Sequence, residues 1–371
     1  MSGGPPPKPA RVIAAVDMDY FYAQCEELRN PSLRSKPVVI CMFSGRTEDS
    51  GAVATCNYVA RGYGVRSGIP IFRAKELLKD VEAFFLPPDF KYYDEVSGRV
   101  MEVLEDVSDR MSPESIDEAY LDVSSKTGGD YDAAAKLALK MKEAVLKDVG
   151  LTCSVGVGPN KLVAKMASDK SKPNGLLVVR EGEFLDQFGS MPVDKLYGVG
   201  KKTADRLEKL GAKTIADLSR LPLEELQKEF GRKLGLYFFL ASKGTDDQPL
   251  SDWKREQVGR MVTLKEDTRD VAAIVGPLAA MATEIADELA EARLSYKSVG
   301  VVVIDNAILK AHSRSRSLKS EERGVDAIVK VARELLAELF EEEPDLVARR
   351  LSVRVSSLRS TAGQTELSSF Y

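Results

Sequence analysis

Two short stretches join acidic side chains to strand-like apolar runs. One is Val16-Asp17-Met18-Asp19-Tyr20-Phe21-Tyr22; the other is Ser115-Ile116-Asp117-Glu118-Ala119-Tyr120-Leu121-Asp122. Val12 to Val16 reads as a buried strand leading into Asp17. Ile116, Ala119, Tyr120 and Leu121 supply a second short apolar strand around Asp117 and Glu118. Carboxylates at the edge of a core strand are costly to desolvate, so they need cations or strong donors close by. Neither motif contains Lys or Arg, and the single His, His312, is remote. The simplest partner is then a hard, oxygen-seeking cation such as Mg2+. The plain alternative is a set of solvated hairpin-turn acids, a setting toward which Asp is biased.

The two motifs resemble the metal-binding motifs of Y-family, DinB-type (polymerase IV) lesion-bypass DNA polymerases. The similarity continues through Phe43-Ser44-Gly45-Arg46, Ala52-Val53-Ala54-Thr55-Cys56-Asn57-Tyr58, Ala164-Lys165 and Lys172-Pro173-Asn174-Gly175, and covers almost the whole chain. It implies an α+β right-hand polymerase. The ferredoxin-like palm would comprise 11–28 and 87–179, the small fingers 29–86 and the helical thumb 180–244. A linker, 245–255, would lead to a βαββαβ little-finger domain, 256–359, between a flexible N-terminal tail, 1–10, and a C-terminal tail, 360–371. The implied activity is low-fidelity, template-directed addition of dNTPs to a primer 3′-hydroxyl across damaged DNA, by two-metal-ion phosphoryl transfer without a proofreading exonuclease.

Carried over residue by residue, Asp17, Asp117 and Glu118 would hold two Mg2+ ions, which Mn2+ could replace, with the Met18 carbonyl completing one shell. The resemblance leaves Asp19 and Asp122 without a metal role. Tyr22 stands at the steric-gate position, where a ring beneath the sugar excludes a 2′-hydroxyl. Thr55, Tyr58, Arg61 and Lys172 would grip the incoming triphosphate, and Ala52 and Ala54 would lie over the nascent base pair. The residues themselves allow part of this. Tyr58 and Arg61 share a helical face at i, i+3, and a guanidinium forks onto phosphate oxygens. Lys172, in a Lys-Pro-Asn-Gly turn, is a compact point charge; a solvated turn lysine is its alternative.

The remaining motifs concern DNA and a protein partner. Gly198-Val199-Gly200-Lys201 joins two predicted helical segments and reads as a helix-hairpin-helix, whose glycines let backbone N–H groups approach a phosphate. An ordinary helix–helix turn is the competing reading. In the last domain, His312, Arg314 and Arg316 alternate with Ser313, Ser315 and Ser317, so one face of that strand is expected to be basic. Arg349, Arg350 and Arg354 add charge near the last strand, and such rows would contact phosphates without sequence preference. The C-terminal Gln364-Thr365-Glu366-Leu367-Ser368-Ser369-Phe370-Tyr371 resembles a sliding-clamp-binding peptide, with Gln364, Leu367, Phe370 and Tyr371 as anchors.

The elements that must position these groups follow from pattern. Helices are expected over 20–28, 57–62, 94–107, 131–147 and 160–169, and strands over 38–43, 52–55 and 152–157. After the polar linker at 244–251 the order is strand 258–263, helix 271–291, strands 299–305 and 310–318, helix 326–341 and strand 351–357. The 371 residues suffice for about two to four modules, and 44% hydrophobic with 30% charged content is that of an ordinary soluble protein. No apolar run approaches the roughly 20 residues that span a bilayer. The four cysteines include no close pair, which argues for a reducing interior and against a zinc knuckle. A net charge of −4 leaves DNA binding open, because local patches decide it. The expected setting is the cytoplasm of a prokaryote, archaeal in type, with the protein a monomer at the nucleoid. Two other classes stay in view. Nucleotidyl cyclases use a similar acid-bearing palm but have no use for the hairpin, basic domain or clamp peptide; a non-catalytic DNA scaffold would not need the three acids.

Overall fold

The run Ile13–Met18 is apolar except at Asp17, and every residue in it is buried. A computed structural model, which describes residues 10–251, 254–307 and 309–361, shows where it lies. In chain order the first elements are β1 (Ile13–Met18), α1 (Phe21–Arg29), β2 (Val38–Phe43), β3 (Gly51–Cys56), α2 (Tyr58–Gly62), α3 (Ile71–Leu77) and β4 (Phe84–Leu86). Then follow α4 (Phe90–Glu105), β5 (Arg110–Pro113), β6 (Glu118–Asp122), α5 (Ser124–Thr127), α6 (Tyr131–Asp148), β7 (Cys153–Gly158), α7 (Lys161–Ser171) and β8 (Leu176–Val178). A helical stretch holds α8 (Phe184–Phe188), α9 (Lys201–Lys209), α10 (Ile215–Arg220) and α11 (Leu223–Ala241), the last broken at Gly231. The chain closes with β9 (Gln257–Thr268), α12 (Val271–Glu291), β10 (Leu294–Asp305), β11 (Ala311–Glu322), α13 (Val325–Glu342), β12 (Ala348–Ser356) and β13 (Arg359–Ser360).

Contacts divide the chain into two units. One takes in the chain up to Cys41, Val53–Gly68 and Leu77–Trp253; the other takes in Met42–Ala52, Ile69–Glu76 and the chain from Lys254. The insertion expected over 29–86 is thus shared between them.

In the first unit β1 is the central strand of a five-stranded sheet in the order β5-β6-β1-β7-β8. It runs antiparallel to β6 on one side and β7 on the other, with Asp17 opposite Glu118 and opposite Ser154. The helices over this sheet follow from capped amphipathic runs. Asp130 caps α6 by accepting from the Ala133 N–H (2.7 Å), and Ala134, Ala138, Met141 and Val145 form its buried stripe. Asn160 caps α7 in the same way, accepting from Val163 N–H at 2.9 Å. This helix lies unusually close to β7, because a Cβ on Gly156 would collide with the Ala164 carbonyl and the Ser168 amide nitrogen. Only glycine permits that approach. It is what brings Lys165 of α7 over Asp17 of β1.

In the second unit β11-β10-β12-β9 form an antiparallel sheet in the expected βαββαβ order. One face is covered by α12 and α13, and Val299, Val301, Val303, Leu351, Val353 and Val355 pack there against Ile274, Leu278, Ile328 and Leu335.

Because α7 cannot back away without losing its contacts, overpacking at Gly156 should be costly. Gly156→Ala is expected to lower unfolding free energy by at least about 1–3 kcal/mol, read as a lower urea midpoint with unchanged slope. A midpoint equal to wild type would show that α7 has room to spare.

Candidate active site

Asp17 ends the all-buried strand β1 and is itself 2% exposed. Its neighbour across the ladder is Glu118, the first residue of β6, and the Asp117 carbonyl accepts the Met18 N–H at 2.9 Å. Antiparallel pairing of two motifs a hundred residues apart therefore delivers all three acids to one place. They line a cavity of about 270 Å³ together with Met18, Tyr20, Phe21, Tyr22, Ala54, Thr55, Arg61, Ser67 and Lys172.

Cations of the chain itself, lying outside the two motifs, stand beside these acids. Lys165, buried in α7, donates to Asp17 Oδ2 at 2.6 Å and to Glu118, and also lies 3.1 Å from Asp169. Lys172 reaches the other Asp17 oxygen, Oδ1, at 2.6 Å. Burial alone would raise the Asp17 pKa; its hydrogen bond with Glu118 and the two ammonium groups outweigh this and hold it below the usual value. Burial, and then the hydrogen bond with Asp17, push Glu118 up to about 7, against the pull of Lys165. Asp117 is raised by burial and by Asp17, with a hydrogen bond from Ser115 Oγ (2.7 Å) opposing.

Among the described residues, no group of three or more His, Cys, Asp or Glu is arranged to hold a metal ion as the side chains stand. Both Asp17 oxygens are engaged by lysines. The donor set nevertheless fits a hard divalent cation. It is all carboxylate oxygen, and burial keeps the Asp117 and Glu118 carboxyls above their usual range despite the nearby ammonium groups, a penalty on ionisation that a divalent cation would offset. Seating a cation requires Lys165 to release Asp17 or Glu118.

Of the residues that the sequence reading assigns to the nucleotide and the nascent pair, most line this cavity, and Tyr58 and Ala52 do not. Thr55, Arg61 and Lys172 line the cavity beside the acids. Arg61 stacks on the Tyr58 ring at 4.8 Å, and Tyr58 Oη is buried without a hydrogen-bond partner among the described residues. Asn57, which motif reading passed over, caps α2 through Ala60 N–H and also binds Glu27 Oε1 at 2.8 Å. Tyr22 is braced by stacking on Tyr93 (4.7 Å, 16°) and by the edge of Phe90. Ala54 lines the cavity; Ala52 does not, and pairs instead with Pro70.

Gly198 has φ +82° and Gly200 is the N-cap of α9, as the hairpin reading requires, although one 3-10 turn at Val193–Lys195 precedes it. Tyr237 Oη donates to the Tyr197 carbonyl at 2.6 Å and its ring lies under Gly198. Lys201 is exposed.

The basic row on the third strand of the last domain needs correcting. His312, Arg314 and Arg316 lie opposite Val303, Val301 and Val299, on the helix-covered face. There His312 pairs with Glu343 (2.6 Å), Arg314 with Glu342, and Arg316 with Glu334 and Glu338, all on or beside α13. These two arginines are therefore not an unpaired DNA-facing row. The open face instead carries Ser313, Ser315 and Ser317 in register with Val302, Gly300 and Ser298, and on β12 it carries Arg350 and Arg354. Arg354 lies flat over Gly300, where a Cβ would come within 3.1 Å of its Nε, and beside Gly259, where a Cβ would come within 3.1 Å of its own. Among the described residues no ion pair engages Arg350 or Arg354, whereas the Arg349 charge acts on Asp267. The clamp-type peptide, Gln364 to Tyr371, lies outside the described residues.

A titration follows from the Glu118 shift. In metal-free protein the folded state keeps the Glu118 proton above the ordinary value of 4.5. The stabilisation this gives is complete below 4.5 and is lost as pH rises through about 7. In EDTA, Glu118→Gln should flatten the fall in Tm across that window; the same slope in both proteins would remove Glu118 as its source.

Comparison with known proteins supplies the wider context. The family described as impB/mucB/samB matches residues 16–169, the thumb domain of DNA polymerase-iota matches 194–246, and the impB/mucB/samB C-terminal domain matches 255–368. DNA polymerase IV of Nitrosopumilus maritimus is 39% identical over 97% of this chain and 99% of its own length. DNA polymerase IV of Methanosarcina acetivorans is 41% identical over 96% and 98%. Among solved structures, a Y-family polymerase chimera of Dbh and Dpo4 superposes with a TM-score of 0.88 at 35% identity, covering 94% of this chain and all of the other. An insertion ternary complex of Dbh DNA polymerase gives 0.68 at 35% identity over 94% of this chain and 100% of the other. With strand pairing, acids and sequence in agreement along nearly its full length, the chain belongs to the Y-family of DNA polymerases, in the DinB-type DNA polymerase IV branch.

Proposed function

We propose that this DNA-directed DNA polymerase bypasses lesions at low fidelity, by two-metal-ion phosphoryl transfer and without a proofreading exonuclease. One observation carries the reading: a single cavity holds Asp17, Asp117 and Glu118 opposite Thr55, Arg61 and Lys172, with Tyr22 in its wall. Two divalent cations of the magnesium class, or manganese in their place, held by the three carboxylates and the Met18 carbonyl, would supply Lewis-acid stabilisation of an in-line displacement at phosphorus. The protein's own groups do the rest. Arg61 and Lys172, with the Tyr58 hydroxyl, bind the triphosphate oxygens and neutralise charge as the pyrophosphate leaves. Tyr22, which Tyr93 and Phe90 prevent from tilting away, excludes a 2′-hydroxyl. The small Ala54 leaves space over the nascent pair, which fits tolerance of damage and loose checking; Ala52 is proposed to share that role.

The domain roles follow the resemblance: palm at 11–28 and 87–179, fingers 29–86, thumb 180–244 and little finger 256–359. The three matched regions account for most of the chain. Primer-template DNA is proposed to meet Gly198, Gly200 and Lys201 at the thumb hairpin and Arg349, Arg350 and Arg354 in the last domain. The Dbh ternary and binary complexes among the solved relatives support DNA and nucleotide as partners. Gln364, Leu367, Phe370 and Tyr371 are proposed to dock on a sliding clamp. No described helix is long and apolar enough to cross a membrane. The archaeal relatives support a prokaryotic source, and a nucleoid-associated monomer is proposed.

Primer extension on damaged and undamaged templates tests the reading directly. Asp117→Asn is expected to cut kcat by at least about 10²–10³-fold while DNA affinity stays near wild type; full activity would end the proposed role of Asp117. Tyr22→Ala should retain dNTP addition and begin to incorporate ribonucleotides, and unchanged sugar discrimination would take the gate away from Tyr22. Replacing Arg350 and Arg354 together by Ala should weaken DNA binding more than replacing Arg314 and Arg316. The reverse order in a binding titration would restore the basic-row assignment.

A further inference from the structure

Asp19 is fully buried, has no metal role by motif, and makes no ion pair among the described residues. A carboxylate so placed is very costly unless donors surround it. Three do: Thr152 Oγ1 donates to Oδ2 at 2.9 Å, Ser154 Oγ donates to Oδ1 at 2.8 Å, and the Asn174 backbone N–H donates to Oδ2 at 2.9 Å. The next amide of the same turn, Gly175 N–H, donates to Ser154 Oγ at 3.3 Å. Two consecutive backbone donors of the Lys172-Pro173-Asn174-Gly175 turn are therefore tied to β1, one directly and one through Ser154. Gln24 closes the other side, donating to the Asp19 carbonyl at 2.7 Å and accepting the Thr152 N–H at 2.6 Å.

The turn fastened in this way carries Lys172, whose ammonium stands 2.6 Å from Asp17 Oδ1 at the cavity wall. Asp17 and Asp19 are two residues apart on one backbone. Hence, besides the packing of α7 on β7, a second and local set of bonds fixes the distance between the acid strand and the lysine. We infer that Asp19 is a positioning residue: its carboxylate straps the Lys172 turn to the acid-bearing strand and holds that ammonium where the nucleotide's phosphates bind. The inference rests on the reading of Lys172 as a triphosphate contact and adds what aims it. The carboxylate suits the task because each of its oxygens accepts, and backbone N–H groups can only donate.

A double-mutant cycle in steady-state single-nucleotide insertion tests it, with Asp19→Ala, Lys172→Met and the pair measured for kcat and for KM of the dNTP. If Asp19 acts through Lys172, each single variant raises KM about tenfold, and the double variant is no worse than Lys172→Met alone. Multiplying effects would show that Asp19 supports the fold generally, and would overturn the inference. Should Asp19→Ala fail to fold, Ser154→Ala, which leaves Asp19 two donors, is carried through the same cycle and judged by the same rule. A Lys172→Met variant with wild-type KM would instead refute the triphosphate reading, a result distinct from additivity.

Discussion

Three acidic side chains crowded into one part-buried cavity repel one another, and everything around them answers that repulsion. The ladder between β1 and β6 fixes Asp17 against Glu118, so the acids cannot spread apart. Neutralisation has to be brought to them. Lys165 and Lys172 do this from one helix and the turn after it, and the route depends on two glycines: Gly156 and Gly158 let α7 rest on β7 where any side chain would strike its backbone or Val163. Partial compensation is the useful outcome. Asp17 is held ionised while burial keeps Asp117 and Glu118 above the usual range, a set of charges that favours a further cation over a closed, inert ion pair.

The second unit treats charge the opposite way. Its helix-facing arginines are matched one by one with glutamates: Arg260 with Glu284 and Glu288, Arg314 with Glu342, and Arg316 with Glu334 and Glu338. Half-exposed pairs of this kind add little stability. Their effect is to leave the other face of the sheet as the one that carries unmatched arginines, Arg350 and Arg354 among them.

Much of this was legible in sequence. The apolar run before Asp17 and the alternation around Glu118 are strong strand signals, and the last domain's element order follows directly from its periodicity. Lys165 was not legible as a partner of the acids. On a helix whose residues from Leu162 to Ser168 are all buried, nothing local separates a lysine that snorkels outward from one turned into a site. The alternation on β11 correctly showed that Arg314 and Arg316 share a face, but period alone cannot say which face a helix covers. The available signal was the stripe Glu334, Glu338 and Glu342 on α13, spaced to meet a row of cations. Ala52 and Ala54 share a strand face by alternation, yet only Ala54 reaches the cavity, because Ala52 is drawn into a bridge with Pro70.

Arg354 rests across Gly300 with its first carbon against Gly259, so the side chain is laid down on the sheet instead of waving in solvent. A long flexible cation ordinarily gives up rotamer freedom when it meets an anion, and that loss subtracts from affinity. Here most of the loss has been taken at folding. Side chains at either glycine would lift the guanidinium and return that entropic penalty to the moment of encounter, weakening the proposed phosphate contact without touching a single charge.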